Sequence, residues 1–275
     1  MYPSTALQTS LLVAGLLIDD AYIIVTGYDL PCGTDNTKLR KAFEEFINHS
    51  NGMMLRTLFS FEPVSARWLQ VLVRPGAKQV EWTTVVVSDE DELDLRVSEY
   101  QQGHAIQPFK NGELLTRVCI FELDGYARVL VWSLHHALTD HWAIHSYVSD
   151  IKDTYARRPL PSRRPFKSMI KYLERLDRTA GLDFWRSHLQ NATPTPFLLG
   201  HSGSQRVISD KTATREVEVD HKSLTRQFGI LASTLVTAAW SVVLAAHSNC
   251  RDVIFGQPLA GRSTHNFHLI YHSTR

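Results

Sequence analysis

The stretch "VLVWSLHHALTDHWAIHSYVSDI" at 129–151 decides how this chain is read. Five of its first six residues are β-branched, aromatic or aliphatic, which predicts a strand running directly into His135. Beyond the histidines, Ile144, Tyr147, Val148, Ile151 and Tyr155 recur at helical spacing, so a helix is expected to start near Asp140. Asp140 is a good N-cap for it, because a carboxylate there accepts from the free amides of the first turn. A strand, a tight turn carrying His135 and His136, and a helix capped by Asp140 form the expected unit.

The same alternation extends outward. "TDNTKLRKAFEEFINH" opens with the capping candidates Thr34 and Asp35 and sets Leu39, Phe43, Phe46 and Ile47 on one helical face. Residues 55–61, 67–73 and 80–87 read as strands, and "SDEDELDLRVSEY" as a helix with negative charge in its first turn. "LLTRVCIFEL" and "ARVLVWSL" flank Asp124-Gly125, a strong signal for a hairpin turn. The basic, proline-rich 156–166 marks a boundary, so 1–160 is expected to form one lobe and 161–275 a linker and a second, incomplete lobe. The second part should hold a short helix ending "LDFWRSHLQN", a strand at "TATREVEV", one long apolar helix over 221–247 and a last strand at "DVIFGQPL". The fold class is therefore α/β.

Composition removes several classes of function. With 29 Lys+Arg against 28 Asp+Glu, the net charge of +1 provides no electrostatic case for nucleic acid or an acidic membrane. Three separated cysteines, Cys32, Cys119 and Cys250, form no disulfide framework, which points to a reducing, cytoplasmic setting. "LLVAGLLI" at 11–18 lacks the basic flank of a signal peptide. The uncharged run at 228–246 is diluted by Ser233, Thr234, Thr237 and Ser241, and reads as a buried helix of a soluble protein rather than a membrane span.

Several chemistries fit the histidines themselves. His136 with Asp140 or His141 could supply two metal ligands, but no HExxH or compact Cys/His set supplies a third. Counted from His135, the spacing to Asp140 matches that of glycerolipid acyltransferases, without their membrane anchoring. Counted from His136, HxxxD fits an imidazole base whose loop is held rigid by a carboxylate. The bland alternative is a strand end followed by an ordinary cap.

Taken with the rest of the chain, the motif resembles the condensation domains of nonribosomal peptide synthetases, of the fungal type. "HHALTDHW" is similar to the family's HHxxxDG element with its following tryptophan, except that His141 stands where the family has glycine. "YPSTALQTSLL" (2–12), "LRTLF" (55–59), "FWRSHL" (184–189) and "DVIFGQPLAGR" (252–262) resemble four further family elements in the right order.

This resemblance implies a chloramphenicol acetyltransferase-like fold and amide (or ester) formation between substrates borne by donor and acceptor carrier proteins. No cofactor would be bound directly, since the carriers deliver the phosphopantetheine arms. His136 would be catalytic, Asp140 a brace paired with Arg262, His135 and Trp142 loop-shaping residues, and His141 a bulky addition to the substrate passage. The family continues well past "SGR", so the second lobe is expected to be truncated and the apolar helix left uncovered, favouring self-association or docking on a partner synthetase. Two alternatives follow from these departures: an impaired fragment that docks carriers, or a free-standing acyltransferase using acyl-CoA. The second lacks the DFGWG motif of the plant-type branch.

Overall fold

The computed structural model describes residues 1–18, 21–110, 112–195 and 213–257. In chain order come strand β1 (Tyr2–Pro3), helix α1 (Ala6–Leu17), β2 (Ile23–Thr34) and α2 (Asn36–Asn48). Strands β3 (Thr57–Glu62), β4 (Arg67–Leu72) and β5 (Glu81–Val86) lead to α3 (Glu90–Gln102). The hairpin β6 (Thr116–Leu123) and β7 (Tyr126–His135) precedes α4 (His141–Tyr155) and α5 (Lys167–Arg175). Among the described residues, these elements build one compact unit over Met1–Leu176.

The hairpin forms as its turn residues demand. Asp124 and Gly125 take φ of 53° and 79°, both left-handed as a two-residue turn of matching twist requires. The four-stranded sheet runs β2-β7-β6-β5, antiparallel except for the parallel pair β5 and β6. Its two faces follow the alternation of side chains along a strand. Val118, Ile120, Leu130 and Trp132 pack against Phe43 and Phe46 of α2 and Tyr147 and Ile151 of α4. Cys119, Phe121 and Val131 pack on the other face with Leu93 of α3. Both faces are covered, which explains why the middles of β6 (118–121) and β7 (129–132) are continuously apolar.

The expected helices at 36–48 and 90–102 are present, capped by Asp35 and Asp89. The strand expected from Leu55 begins two residues later, because 53–56 form a 3₁₀ turn. Arg56 uses that turn to reach backward. Its buried guanidinium donates to the carbonyls of Ile47 (2.8 Å) and Asn48 (3.0 Å), which the end of α2 leaves free, and its Nε to Val73 O (3.1 Å). A second sheet, β1-β4-β3, is antiparallel and holds the N-terminal Tyr2-Pro3 against β4.

Residues 156–166 contain no helix or strand, yet they are anchored to the first unit. Arg163 grips buried Asp150 through two bonds (2.7 and 3.1 Å). Asn51 donates to Asp150 and to Pro161 O (2.9 and 2.8 Å), and Leu160 and Phe166 pack on the core.

A second compact unit covers Asp177–Gly261, with α6 (Arg178–His188), α7 (His221–Phe228) and α8 (Ala232–Ser248). The single long helix expected over 221–247 is in fact two, meeting at 97°. Gly229 causes the break: at φ 63° it ends α7 in the left-handed conformation that glycine adopts freely. The strands expected at 212–219 and 252–259 are absent over their described parts, 213–219 and 252–257, where no described residue pairs with them in a ladder. Helix α8 is not the buried helix its composition suggested but lies largely exposed, as the family resemblance implied. Val236, Trp240, Val242 and Val243 lie exposed, and only Leu244 and Ser248 are buried. Among the described residues, no single helix is long and apolar enough to cross a membrane, and only the bent α7–α8 pair reaches that length and composition together.

Candidate functional site

Strand β7 ends at His135, opposite Ile23 of β2. His136 then opens a 3₁₀ turn, 136–138, which reverses the chain into α4. The turn is held at nearly every polar group of its backbone. His136 N–H donates to Tyr22 O (2.8 Å), and Thr139 N–H to His136 O (3.3 Å). Gln8 Nε2 donates to Ala137 O (2.9 Å), and Tyr147 Oη–H to Leu138 O (3.3 Å). Asp140 closes the far end as the N-cap of α4, its Oδ1 accepting from Ala143 N–H at 2.8 Å. The main chain around His136 is thus held from α1, from Tyr22 just before β2, and from α4.

The two histidines differ in environment. His135 is buried, and its Nδ1 accepts from Ala137 N–H (3.1 Å). Burial, and secondly the neighbouring His136, push its pKa down to about 4. It is therefore neutral near pH 7, and with Nδ1 accepting, the ring proton sits on Nε2. His136 is half-buried and has the Tyr22 ring edge-on at 6.5 Å. Tyr22 itself takes a left-handed φ of 64°, costly for a bulky residue, and the conformation presents its carbonyl to His136.

His141 is the first residue of α4 and is exposed. Its ring meets His145, one turn on, at 4.4 Å between centroids, and Trp142 at 6.0 Å. Trp142 is also exposed. Arg262 lies outside the described residues. Among the described residues, no three His, Cys, Asp or Glu side chains cluster as metal ligands.

Two contributors have little or no signal in the sequence. Gln8 is legible as half of a capping box: Thr5 Oγ1 accepts from Gln8 N–H while Gln8 Oε1 accepts from Thr5 N–H. Its second role, donating from Nε2 to a carbonyl 129 residues away, has no local signal. Tyr22 acts through its backbone, which no side-chain pattern reveals.

Comparison with known proteins shows the family. The family model described as the condensation domain matches residues 1–270. The chain is 28% identical over 266 residues to the nonribosomal peptide synthetase apmB of Penicillium brevicompactum, covering 96% of this chain and 10% of the synthetase. It is 30% identical over 283 residues to a linear gramicidin synthase of Brevibacillus parabrevis, covering 95% of this chain and 4% of that one.

Among solved structures, the first condensation domain of the calcium-dependent antibiotic synthetase superposes with a TM-score of 0.72 at 15% identity, over 98% of this chain and 66% of the other. The starter condensation domain of rhizomide synthetase has a TM-score of 0.69 at 16% identity, over 94% and 63%. The chain belongs to the condensation-domain family. Its fold is the chloramphenicol acetyltransferase-like α/β fold of those domains, and its curated relatives are nonribosomal peptide synthetases of whose length it spans between 2% and 12%.

Proposed function

We propose that this chain forms amide bonds between carrier-bound substrates, with His136 as the catalytic base. The acceptor amine attacks the carbonyl carbon of the donor thioester, the C–S bond breaks, and the thiolate leaves on the donor's phosphopantetheine arm. The amine's excess proton passes to His136 and can then reach the departing sulfur. A free α-amino group has a pKa of about 7.7–8.0, so a good fraction is neutral in the cytoplasm, our proposed setting, and the base is needed chiefly as nitrogen acidifies during attack. Alignment contributes as well, since holding two reactants in register can supply roughly 7–11 kcal/mol at best. An acceptor hydroxyl, giving an ester, would depend on His136 more heavily.

The observation that supports this reading most is the half-buried His136 on a turn whose backbone is tied down from α1, α4 and Tyr22. On this reading Asp140 braces the turn and pairs with Arg262, His135 and Trp142 shape the loop, and His141 narrows the substrate passage. Donor and acceptor carrier proteins are the partners, and their phosphopantetheine arms take the place of a bound cofactor. The test loads donor and acceptor carriers and follows condensed product by mass spectrometry. His136→Ala is expected to lower product formation at least a hundredfold, and equal product from both proteins would overturn the assignment.

A second reading has its own observation. The exposed Val236, Trp240, Val242 and Val243 of α8 suit a module that docks another chain. Product formation by the isolated chain would make docking alone insufficient.

A further inference from the structure

Helix α4 opens with two histidines one turn apart, and the proton transfer proposed above uses neither. His141 and His145 stand at i and i+4, the spacing that sets two side chains on one face of a helix. Both are exposed, and their ring centroids lie 4.4 Å apart with the planes at 63°. Other imidazoles in the fold are engaged. His135 accepts from Ala137 N–H, His49 accepts from Asn51 N–H, and His104 lies 2.9 Å from the Glu81 carboxylate. Among the described residues, no such partner meets a ring nitrogen of His141 or His145, so their lone pairs are available.

We propose that His141 and His145 chelate a divalent transition metal ion such as zinc, with water completing its coordination. Metal–imidazole bonds are about 2.0–2.1 Å long, so two rings sharing an ion at right or tetrahedral angles have centroids about 4.5–5 Å apart. The observed 4.4 Å is a small rotation from that separation, and exposed side chains rotate readily. Imidazole suits zinc, copper and nickel, whereas magnesium and calcium take oxygen donors. Among the described residues no third ligand joins the pair, which sets the kind of site. It is an exchangeable surface chelate rather than a closed structural centre or a three-ligand catalytic one. The positive end of the helix dipole opposes a cation here, and the carboxylate of Asp140, next to His141 in the chain, offsets it. An ion bridging the first turn of α4 ties down the helix end that closes the His136 turn. The site is independent of the proposed reaction, and binding alone reads it.

The test titrates zinc, copper and magnesium chlorides into the tag-free full chain by calorimetry. Zinc is expected to bind with a Kd on the order of 10 µM, as half the binding free energy of a four-ligand structural site implies. Copper should bind at least tenfold tighter than zinc, and magnesium at least a hundredfold more weakly. His145→Ala and His141→Gly should each weaken zinc binding at least tenfold. The first puts the best helix former at an exposed helix position, so folding is not at risk. Zinc at a hundred times its Kd should raise Tm by about 5–10 °C, because the unfolded chain does not hold the two rings together. EDTA should reverse that shift, and His145→Ala should abolish it. Native zinc affinity in either variant, which would place the ion on other histidines, overturns the proposal. So does copper binding no tighter than zinc, magnesium binding as tightly as zinc, or a Tm that zinc leaves unchanged.

Discussion

Replacing Gln8 by alanine removes three bonds at once. These are the acceptor for Thr5 N–H (3.0 Å), the donor to Ala137 O (2.9 Å) and a longer donor to Gln70 Oε1 (3.3 Å). Ala137 and Gln70 are buried, so their oxygens lose a partner that water does not readily replace. At about 1 kcal/mol per ordinary bond, and about 1–3 kcal/mol for a buried group left unpaired, the loss is about 3 kcal/mol. For a unit of this size that lowers Tm by about 6–12 °C.

The functional effect is separate. Ala137 follows His136, and freeing its carbonyl lets the turn drift, for which a displacement near 1 Å costs on the order of a hundredfold in kcat. Gln8→Glu separates the two roles, since it keeps an oxygen for Thr5 N–H and loses the amide donor to Ala137. The assay measures thermal unfolding, then product formation from loaded carriers well below both melting points. Both variants should lose kcat, with Gln8→Glu keeping the N-terminal cap of α1. A Gln8→Ala protein that melts early yet turns over at the native rate would refute the claim that this bond positions His136.

Acid should destabilise the fold through His135. The folded state keeps it unprotonated down to about pH 4, whereas the unfolded chain protonates near 6.5. Its contribution, about 3 kcal/mol, is therefore complete above pH 6.5 and lost progressively toward pH 4, because protons then bind the unfolded state alone. Urea midpoints across that window should fall less steeply for His135→Asn, and an unchanged slope would count against the assignment. Asp140→Ala should cost about 1 kcal/mol by freeing Ala143 N–H, while Asp140→Asn keeps the cap but loses the charge proposed to hold Arg262. The Asn variant is thus expected to melt normally and to make less product; native output would remove the ion-pair role. Arg163→Ala leaves the buried Asp150 carboxylate without its cation, with the Asn51 amide still donating to it, for about 3–5 kcal/mol measured by urea unfolding. Limited proteolysis should then cut within 156–166 faster than in the native protein.

How far these elements are readable depends on how local their causes are. The strand, turn and helix around His136 follow from a β-rich run, a capping aspartate and a helical period, all within about two dozen residues. The hairpin follows from Asp124-Gly125, whose backbone preference needs no distant partner. Gly229 is an equally local signal, but the uncharged run from Phe228 through it to Ala246 masks the break that makes two helices of one. The strands expected in the second unit have the right composition over 213–219 and 252–257, but a strand exists only when another edge pairs with it. The basic 156–166 segment resembles a linker because its anchor, Asp150 beneath Arg163, is a contact between side chains that composition does not encode.

The sequence by itself determined the family, through five motifs in order, and the placing of two histidines between a strand and a capped helix. Spacing encodes those features, since backbone geometry repeats every two or 3.6 residues. Only the tertiary structure decided what the two histidines can do. Burial against α1 keeps His135 neutral with its proton on Nε2, and the Tyr22 carbonyl, the Gln8 amide and the Asp140 cap hold the His136 turn. Desolvation and bonds spanning more than a hundred residues depend on which surfaces meet, and no local pattern in the chain carries that information.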